Sequence, residues 1–277
     1  MQHFTISLKD SFACLGENGA EPTLTAYLQS DMGEMAWPEQ KRPCLIICPG
    51  GAYAMCSDRE AEPVAMHFWP EGYHVFVLRY SVVPHRFPCQ LREVAAAIEL
   101  IYQNAEVWHC DTGRIALMGF SAGGHLAAHY ATCYDIAPVR EAFPDSKPVQ
   151  ASLLCYPVIS ADPEIAHMGS FQNLFGTEKL SQSQAQLASC ELQVSDRTPP
   201  AFLWHTAADP AVPVANSLRY AMAMSAHNRP VCVHIYPFGT HGLATVDGQT
   251  CANLSAADAY ANDWLTQAKK WLKLTLS

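Results

Sequence analysis

Short apolar runs alternate with longer amphipathic stretches along most of the chain. A continuous apolar run between turn residues is typical of a strand buried on both faces of a sheet, whereas apolar residues three and four positions apart predict a helix. Strands are predicted at residues 43–48, 74–78, 115–118, 149–156, 200–205 and 231–236. Helices are predicted at residues 59–69, 88–108, 124–134, 212–227 and 252–274. This alternation predicts an α/β fold with a mostly parallel central sheet and helices on both faces. No linker or repeat divides the chain, so we expect residues 1–277 to form a single domain.

The start of the chain follows a different pattern. Residues 4–8 and 24–28 alternate apolar and polar positions and are separated by turn-forming residues, which predicts an antiparallel pair of strands. Residues 31–42 are predicted to form a loop before the first central strand.

Residues 158–199 interrupt the alternation with a long stretch of mixed character. Long excursions of this kind in a compact domain commonly serve as lids or as walls of an active site. We therefore expect a small lid insertion here, and the alternative is a surface insertion without a role at the site.

The sequence Gly-Phe-Ser-Ala-Gly at residues 119–123 lies between a predicted strand and a predicted helix. That position is typical of a nucleophile elbow, a tight turn that exposes a serine hydroxyl to a general base. The chain can turn so sharply only if the residues two before and two after the serine lack side chains, and Gly119 and Gly123 meet this condition. Because this short pattern also occurs by chance, the assignment of Ser121 as a nucleophile depends on the residues that align with it.

Two further reactive side chains follow predicted strands. Asp209 lies just after the strand predicted at 200–205, and His241 lies just after the strand predicted at 231–236. Because the carboxyl ends of parallel strands meet at one edge of a sheet, we expect both side chains to lie near Ser121. The chain order Ser, Asp, His is also the order of one large group of serine hydrolases.

Each of these assignments has an alternative. Asp209 precedes Pro210 and could instead cap the helix predicted at 212–227. His241 beside Gly242 could be an ordinary turn residue. Asp247 is the second candidate for the acid, although it follows the histidine and breaks the expected order.

The sequence Pro-Gly-Gly-Ala-Tyr at residues 49–53 follows the first central strand. Its small residues allow backbone N–H groups to approach a substrate carbonyl, so we expect oxyanion donors at Gly51 and Ala52. The third donor is expected at Ala122, the residue after the nucleophile. Tyr53 is predicted to shape the substrate pocket, and its alternative is a place in the core.

Nearby polar residues provide weaker signals. Ser57 and Glu60 could orient Tyr53, line the pocket or cap the following helix. His125 and His129 are four residues apart on a predicted helix, a spacing that could bind a metal. No third ligand accompanies them, so we expect packing or hydrogen bonding and no metal site.

Net charge, the start of the sequence and the cysteines limit the classes of partner and the location that we expect for the protein. The net charge of −9 argues against nucleic acid or an anionic membrane as the main partner and favours a small, uncharged or cationic substrate. The start of the sequence has no signal-peptide pattern and no long apolar run occurs, so the cytoplasm is the expected location. Eleven scattered cysteines without a C-x-x-C pattern agree with that expectation.

Taken together, the motifs resemble those of α/β-hydrolase esterases related to acetyl xylan esterases and hormone-sensitive-lipase-like carboxylesterases. The resemblance covers residues 43–275 and implies the α/β-hydrolase fold. It implies a triad of Ser121, Asp209 and His241, with oxyanion donors at Gly51, Ala52 and Ala122. Hormone-sensitive-lipase-like members carry His-Gly-Gly-Gly where this chain has Pro-Gly-Gly-Ala, so the Pro-Gly-Gly-x-Tyr esterases are the nearer match. The motifs lie at residues 49–53, 57–60, 119–126, 205–209, 212–217 and 239–242.

The resulting hypothesis is a serine carboxylester hydrolase that needs no cofactor and acts through an acyl-enzyme. We expect a short acyl group, acetyl above all, on a small or carbohydrate-like ester, because residues 158–199 offer only a small lid. An arylformamidase-like amide hydrolase would use the same residues and is the main alternative. A non-catalytic binding protein on the same scaffold is the second alternative, and the oligomeric state is not predicted.

Overall fold

The computed structural model describes residues 1–15, 19–30 and 41–277. The strands within these ranges are β1 (Gln2–Ser7), β2 (Thr23–Leu28), β3 (Arg42–Cys48), β4 (His74–Arg79), β5 (Cys110–Phe120), β6 (Ala151–Cys155), β7 (Ala201–Thr206) and β8 (Val231–Tyr236). In this described part of the chain they form one eight-stranded sheet in the order β1-β2-β4-β3-β5-β6-β7-β8.

The pairing of the strands confirms the predicted sheet. β1 pairs with β2 and β2 pairs with β4 in antiparallel register, whereas β4, β3, β5, β6, β7 and β8 are all parallel neighbours. The carboxyl ends of β3, β5, β7 and β8 therefore meet at one edge. Most of the loop predicted at residues 31–42 falls on residues 31–40, which lie outside the described residues.

Helices connect most of the strands. They are α1 (Leu8–Ser11), α2 (Glu62–Phe68), α3 (Cys89–Gln103), α4 (Ser121–Cys133), α5 (Ala137–Arg140), α6 (Met168–Phe175), α7 (Gln182–Ala188), α8 (Ala215–Ala226), α9 (Ala256–Ala259) and α10 (Asp263–Thr275). None of these described helices has the length and apolar character needed to cross a membrane.

Two of the predicted helices differ most from those in the structure. The helix predicted at 88–108 ends at Gln103, because the Asn104 side chain donates to the Leu100 carbonyl at 2.9 Å and closes the last turn. The helix predicted at 252–274 is divided. A capping box at Ser255 starts the short helix α9, and the buried apolar stripe begins only in α10.

The core has two layers, one on each face of the sheet. Successive residues of β3 point to opposite faces, so Ile46 belongs to the apolar cluster that includes residues of α3, α4 and α8, whereas Ile47 belongs to the cluster that includes residues of α2 and α10. Both residues are fully buried. This two-sided burial explains why the central strands read as continuous apolar runs.

The insertion at residues 158–199 carries α6 and α7 and is packed onto the domain. Four of its apolar side chains form a small separate cluster with Val212 of the main domain; they are Val158, Ala161, Phe171 and Ala188. Asn173 of α6 also donates its Nδ2 to the Ala52 carbonyl at 2.8 Å. The insertion therefore contacts the loop after β3, and its role as a lid stays a prediction.

Candidate active site

The turn between β5 and α4 places Ser121 in an unusual backbone conformation. Its φ is 53°, in the left-handed region that non-glycine residues rarely adopt. A Cβ on Gly119 would lie 2.0 Å from the Gly123 carbonyl oxygen, and a Cβ on Gly123 would lie 2.1 Å from the Cys48 carbonyl oxygen. Only glycine fits at both positions, as the nucleophile-elbow interpretation requires.

Ser121, His241 and Asp209 form a continuous hydrogen-bonded line at the carboxyl edge of the sheet. The Ser121 hydroxyl lies 2.8 Å from His241 Nε2, and His241 Nδ1 lies 2.6 Å from Asp209 Oδ2. Because Nδ1 faces a carboxylate it carries the proton, so Nε2 is free to accept the serine proton. The Asp209 side chain is 1% exposed and that of His241 is 21% exposed, so the line runs from the interior to the surface.

The Asp209 carboxylate is held by donors on both oxygens. Oδ1 accepts the backbone N–H groups of Ala211 and Val212, each at 2.9 Å, while Oδ2 faces His241 and His205. Burial alone would raise the pKa of this carboxyl, but hydrogen bonds from the two histidines and Val212 outweigh burial and hold the pKa well below its usual value. Asp209 therefore also caps the turn before α8, so the two interpretations of this residue are compatible.

His205 is a neighbour of Asp209 that the sequence analysis did not assign to the site. Its Nε2 lies 3.3 Å from Asp209 Oδ2 and 2.9 Å from the Val212 carbonyl oxygen, and its ring is fully buried. Since both of these atoms are acceptors, Nε2 carries the proton and Nδ1 accepts from Ser217 at 2.8 Å. The sequence feature that could have assigned His205 to the site is its position four residues before Asp209, at the end of a predicted buried strand.

The loop after β3 carries two of the expected oxyanion donors and lies against the serine turn, since a Cβ on Gly50 would lie 2.9 Å from Ser121 Cβ. Gly51 has a φ of 128°, and a Cβ there would lie 2.3 Å from the Met55 carbonyl oxygen. Hydrogen bonds within the described chain leave the N–H groups of Gly51 and Ala52 without an acceptor. Ala122 lies in the first turn of α4, where N–H groups have no partner within the helix. The three expected donors therefore lie on the two segments that flank the serine.

The buried Glu60 side chain anchors the loop after β3 through a hydrogen bond to Gly50. It is 3% exposed, and its Oε2 accepts the N–H of Gly50 at 2.8 Å while its Oε1 accepts the Tyr156 hydroxyl at 2.7 Å. Burial raises the pKa of the Glu60 carboxyl. The Tyr156 ring packs edge-on against His241 with 5.0 Å between ring centroids. Glu60 thus links the loop after β3 to the tyrosine ring that supports the histidine. Of the alternatives for Glu60, lining the pocket is confirmed, whereas orienting Tyr53 is wrong.

Tyr53 lies in the core and not on the wall of the cleft. Its side chain is 1% exposed, its ring packs on Tyr80, and its hydroxyl lies 2.7 Å from His125 Nδ1. This corrects the prediction that Tyr53 shapes the substrate pocket. The reason is that its ring packs on Tyr80 and its hydroxyl bonds His125 in the interior, contacts between remote segments that the sequence pattern does not show.

The remaining candidate residues bond to groups outside the proposed triad. Asp247 lies 3.2 Å from His67 and is not bonded to His241, so the second candidate for the acid is wrong. His125 bonds Tyr53 and the Ala188 carbonyl, and burial lowers its pKa to about 4. No group of three or more metal-binding side chains occurs in the described parts of the chain.

A cleft of about 370 Å³ opens above Ser121. Its walls come from the loop after β3, the turn at His241 and the insertion, which contributes His167. Burial lowers the pKa of His167, and nearby His241 lowers it further. The lining residues are Gly51, Ala52, Ala54, Met55, Ser57, Arg59, Glu60, Ser121, His167, His241 and Gly242.

Comparison with known proteins places this arrangement in a family. A family model described as BD-FAE matches residues 34–224, which is more than half of the chain. The chain belongs to the BD-FAE family. The BD-FAE match includes Ser121, Asp209 and the loop after β3, whereas His241 lies beyond its end.

Individual relatives support the same placement. The chain is 33% identical to Endo-1,4-beta-xylanase B of Butyrivibrio fibrisolvens over 87% of its length, and 30% identical to the Acetylxylan esterase of Xylanibacter ruminicola over 72%. It spans only 37% and 40% of these two relatives.

A solved structure matches over nearly the whole of both chains. The acetyl ester-xyloside bifunctional hydrolase from Caldicellulosiruptor lactoaceticus has 34% identity and a TM-score of 0.84, with coverage of 98% of this chain and 96% of that chain. This likeness and the sheet order confirm the predicted α/β-hydrolase fold and the resemblance to esterases of that fold.

Proposed function

We propose that the protein is a serine carboxylester hydrolase that removes acetyl groups from a small or carbohydrate-like ester. The observation that carries the proposal is the hydrogen-bonded line from Ser121 through His241 to Asp209. A serine on a strained turn, an imidazole in the accepting tautomer and a buried carboxylate are the parts that nucleophilic acyl transfer requires.

In the proposed reaction Ser121 Oγ attacks the ester carbonyl while His241 Nε2 takes the hydroxyl proton. Asp209 orients the imidazole and stabilises the positive charge that it acquires. When the tetrahedral intermediate collapses, the bond to the alcohol breaks and the alcohol leaves with the proton from His241. Water then attacks the acyl-enzyme with His241 as the base, and the acid and free Ser121 are released.

The negative oxygen of the intermediate is proposed to lie among the N–H groups of Gly51, Ala52 and Ala122. Removal of one such donor typically costs about 2.7–4 kcal/mol of transition-state stabilisation. Glu60 supports this role because it anchors the N–H of Gly50 and so fixes the position of the donors.

Two observations support a short acyl group. The cleft holds about 370 Å³, the low end of the range for ligand pockets, and both sides of the ester must share it. The names of two similar proteins, an acetylxylan esterase and an acetyl ester-xyloside hydrolase, also contain an acetyl ester. We expect faster turnover of acetyl than of octanoyl esters.

The test compares Ser121→Ala with Ser225→Ala, a change on the exposed side of α8, on 4-nitrophenyl acetate. Ser121→Ala should lower kcat by about 10⁴-fold or more, and Ser225→Ala should leave it unchanged. A Ser121→Ala protein that keeps the wild-type rate contradicts the proposal.

Two assays on the wild-type protein test the alternatives of a non-catalytic binding protein and a formamide hydrolase. A fluorophosphonate probe should label the wild-type chain at Ser121, whereas a non-catalytic binding protein would not react. Comparison of acetyl esters with N-formylkynurenine separates ester hydrolysis from formamide hydrolysis, and the ester-based names of the relatives favour the first.

A further inference from the structure

Arg59 is an exposed cation on the wall of the cleft that holds Ser121 and His241. It lies in the 3-10 helix Asp58–Glu60, just after the loop that carries the proposed oxyanion donors. Its Nη2 lies 3.4 Å from the position that a Cβ on Gly242 would take. The guanidinium is therefore next to the turn that carries His241.

No carboxylate within the described chain forms an ion pair with Arg59. Asp58 pairs with Arg79 at 2.5 Å, and the buried oxygens of Glu60 bond Gly50 and Tyr156. Arginine beside acidic neighbours normally forms bidentate pairs, so an exposed guanidinium left unpaired in a cleft has its donors available for a ligand.

The other charges around the cleft do not oppose an anion there. His167 has its pKa lowered by burial and so carries no charge at pH 7, and Glu60 is the one acidic side chain among the described lining residues. The oxygens of Glu60 point to Gly50 and Tyr156 and not to the cleft. Because the protein as a whole carries a charge of −9, a local cation is needed if an anionic substrate is to bind.

The position of Arg59 also indicates which half of the ester it meets. In the proposed reaction His241 Nε2 delivers a proton to the leaving alcohol, so the alcohol must lie on the His241 side of Ser121. Gly242 follows His241 directly, and the Arg59 guanidinium lies beside Gly242. The carbonyl oxygen of the ester, in contrast, is proposed to lie among the N–H groups of Gly51, Ala52 and Ala122.

We propose that Arg59 binds a carboxylate on the alcohol part of the substrate, so that the preferred substrates are acetyl esters of acidic alcohols such as hydroxy acids or acidic sugars. This inference rests on the proposed function and assigns Arg59 as its specificity-determining residue.

The test uses a matched pair of esters, 4-acetoxybenzoate and 4-acetoxybenzamide, which share a size and an acetyl group but differ in charge. The measured quantity is the ratio of kcat/KM for the anionic ester to that for the neutral one. It is determined for the wild type, Arg59→Gln, Arg59→Lys and the control Arg140→Gln. Arg140 is an exposed arginine beside Asp135 that is absent from the lining of the cleft.

Arg59→Gln should lower this ratio by about three- to tenfold, since an exposed or half-exposed charge-assisted pair is worth that much in binding. Arg59→Lys should retain part of the ratio, and Arg140→Gln should retain all of it. In the wild type, 0.5 M salt should also shrink the ratio, because it screens the exposed charge.

An Arg59→Gln protein with the wild-type ratio, or a ratio that falls equally in Arg140→Gln, overturns the inference while the esterase proposal stands. A wild-type protein that hydrolyses neither ester nor 4-nitrophenyl acetate overturns both.

Discussion

Replacement of Asp209 by asparagine tests the proposed mechanism at the buried end of its hydrogen-bonded line. The native carboxylate receives two backbone N–H groups on Oδ1, at 2.9 Å each, and faces His241 and His205 with Oδ2. An asparagine amide has one acceptor and one donor end. The two backbone donors require the amide oxygen at the Oδ1 position, so the amide NH₂ group must point at the two histidines.

The consequence is a reversed tautomer of His241. Its Nδ1 can then only accept, so the proton moves to Nε2, which faces Ser121 at 2.8 Å and can no longer take the serine proton. His205 cannot accept the amide hydrogen in place of His241, because its Nε2 already donates to the Val212 carbonyl at 2.9 Å. In a serine protease the same exchange lowers kcat about 10⁴-fold, equal to about 5 kcal/mol at about 1.36 kcal/mol per tenfold.

We therefore expect Asp209→Asn to lower kcat on 4-nitrophenyl acetate by about 10⁴-fold while a thermal melt shows a cooperatively folded protein. The control is Asp247→Asn, which alters a carboxylate bonded to His67 and Thr245 and should leave kcat close to that of the wild type. The reasoning is refuted if the folded Asp209→Asn protein keeps kcat within tenfold of the wild type, or if Asp247→Asn suffers the larger loss.

Two further predictions concern the fold that carries the site. Gly123→Ala should lower the free energy of unfolding by about 3 kcal/mol or more, because its Cβ would lie 2.1 Å from the Cys48 carbonyl oxygen. Gly248→Ala, with no heavy atom within 4 Å of its Cβ, should melt like the wild type, and equal urea midpoints for the two variants would contradict this. Burial raises the pKa of Glu93 to about 7 from 4.5, so the folded chain holds a proton that the unfolded chain releases, and stability falls as the pH rises through that interval. Between pH 5 and pH 8 the wild type should lose up to about 3 kcal/mol from this group, and Glu93→Gln should lose measurably less in paired melts; an equal loss would show that another group is responsible.

Much of the fold followed from the sequence because apolar periodicity is a local property. The runs at β3, β4, β5 and β7 are buried on both faces, and that burial is what selects continuous apolar segments, whereas the edge strand β8 is only partly buried. The antiparallel start and the parallel remainder followed from the spacing of these runs. Boundaries were less accurate where a single side chain ends a helix, as Asn104 does.

The approximate location of the site also followed from the sequence. Parallel strands bring their carboxyl ends to one edge, so reactive residues just after β5, β7 and β8 had to lie near one another. The two glycines around Ser121 are required by backbone clashes within the turn itself, which is again a local constraint.

Contacts between remote segments needed the tertiary structure. Only distances across the sheet separate Asp209 from Asp247 as the partner of His241. The burial of Tyr53 and the bond from Gly50 to Glu60 likewise depend on how one loop packs against others. A sequence states which groups are available, but whether a side chain turns to the cleft or to the core is decided by the neighbours that the fold brings to it.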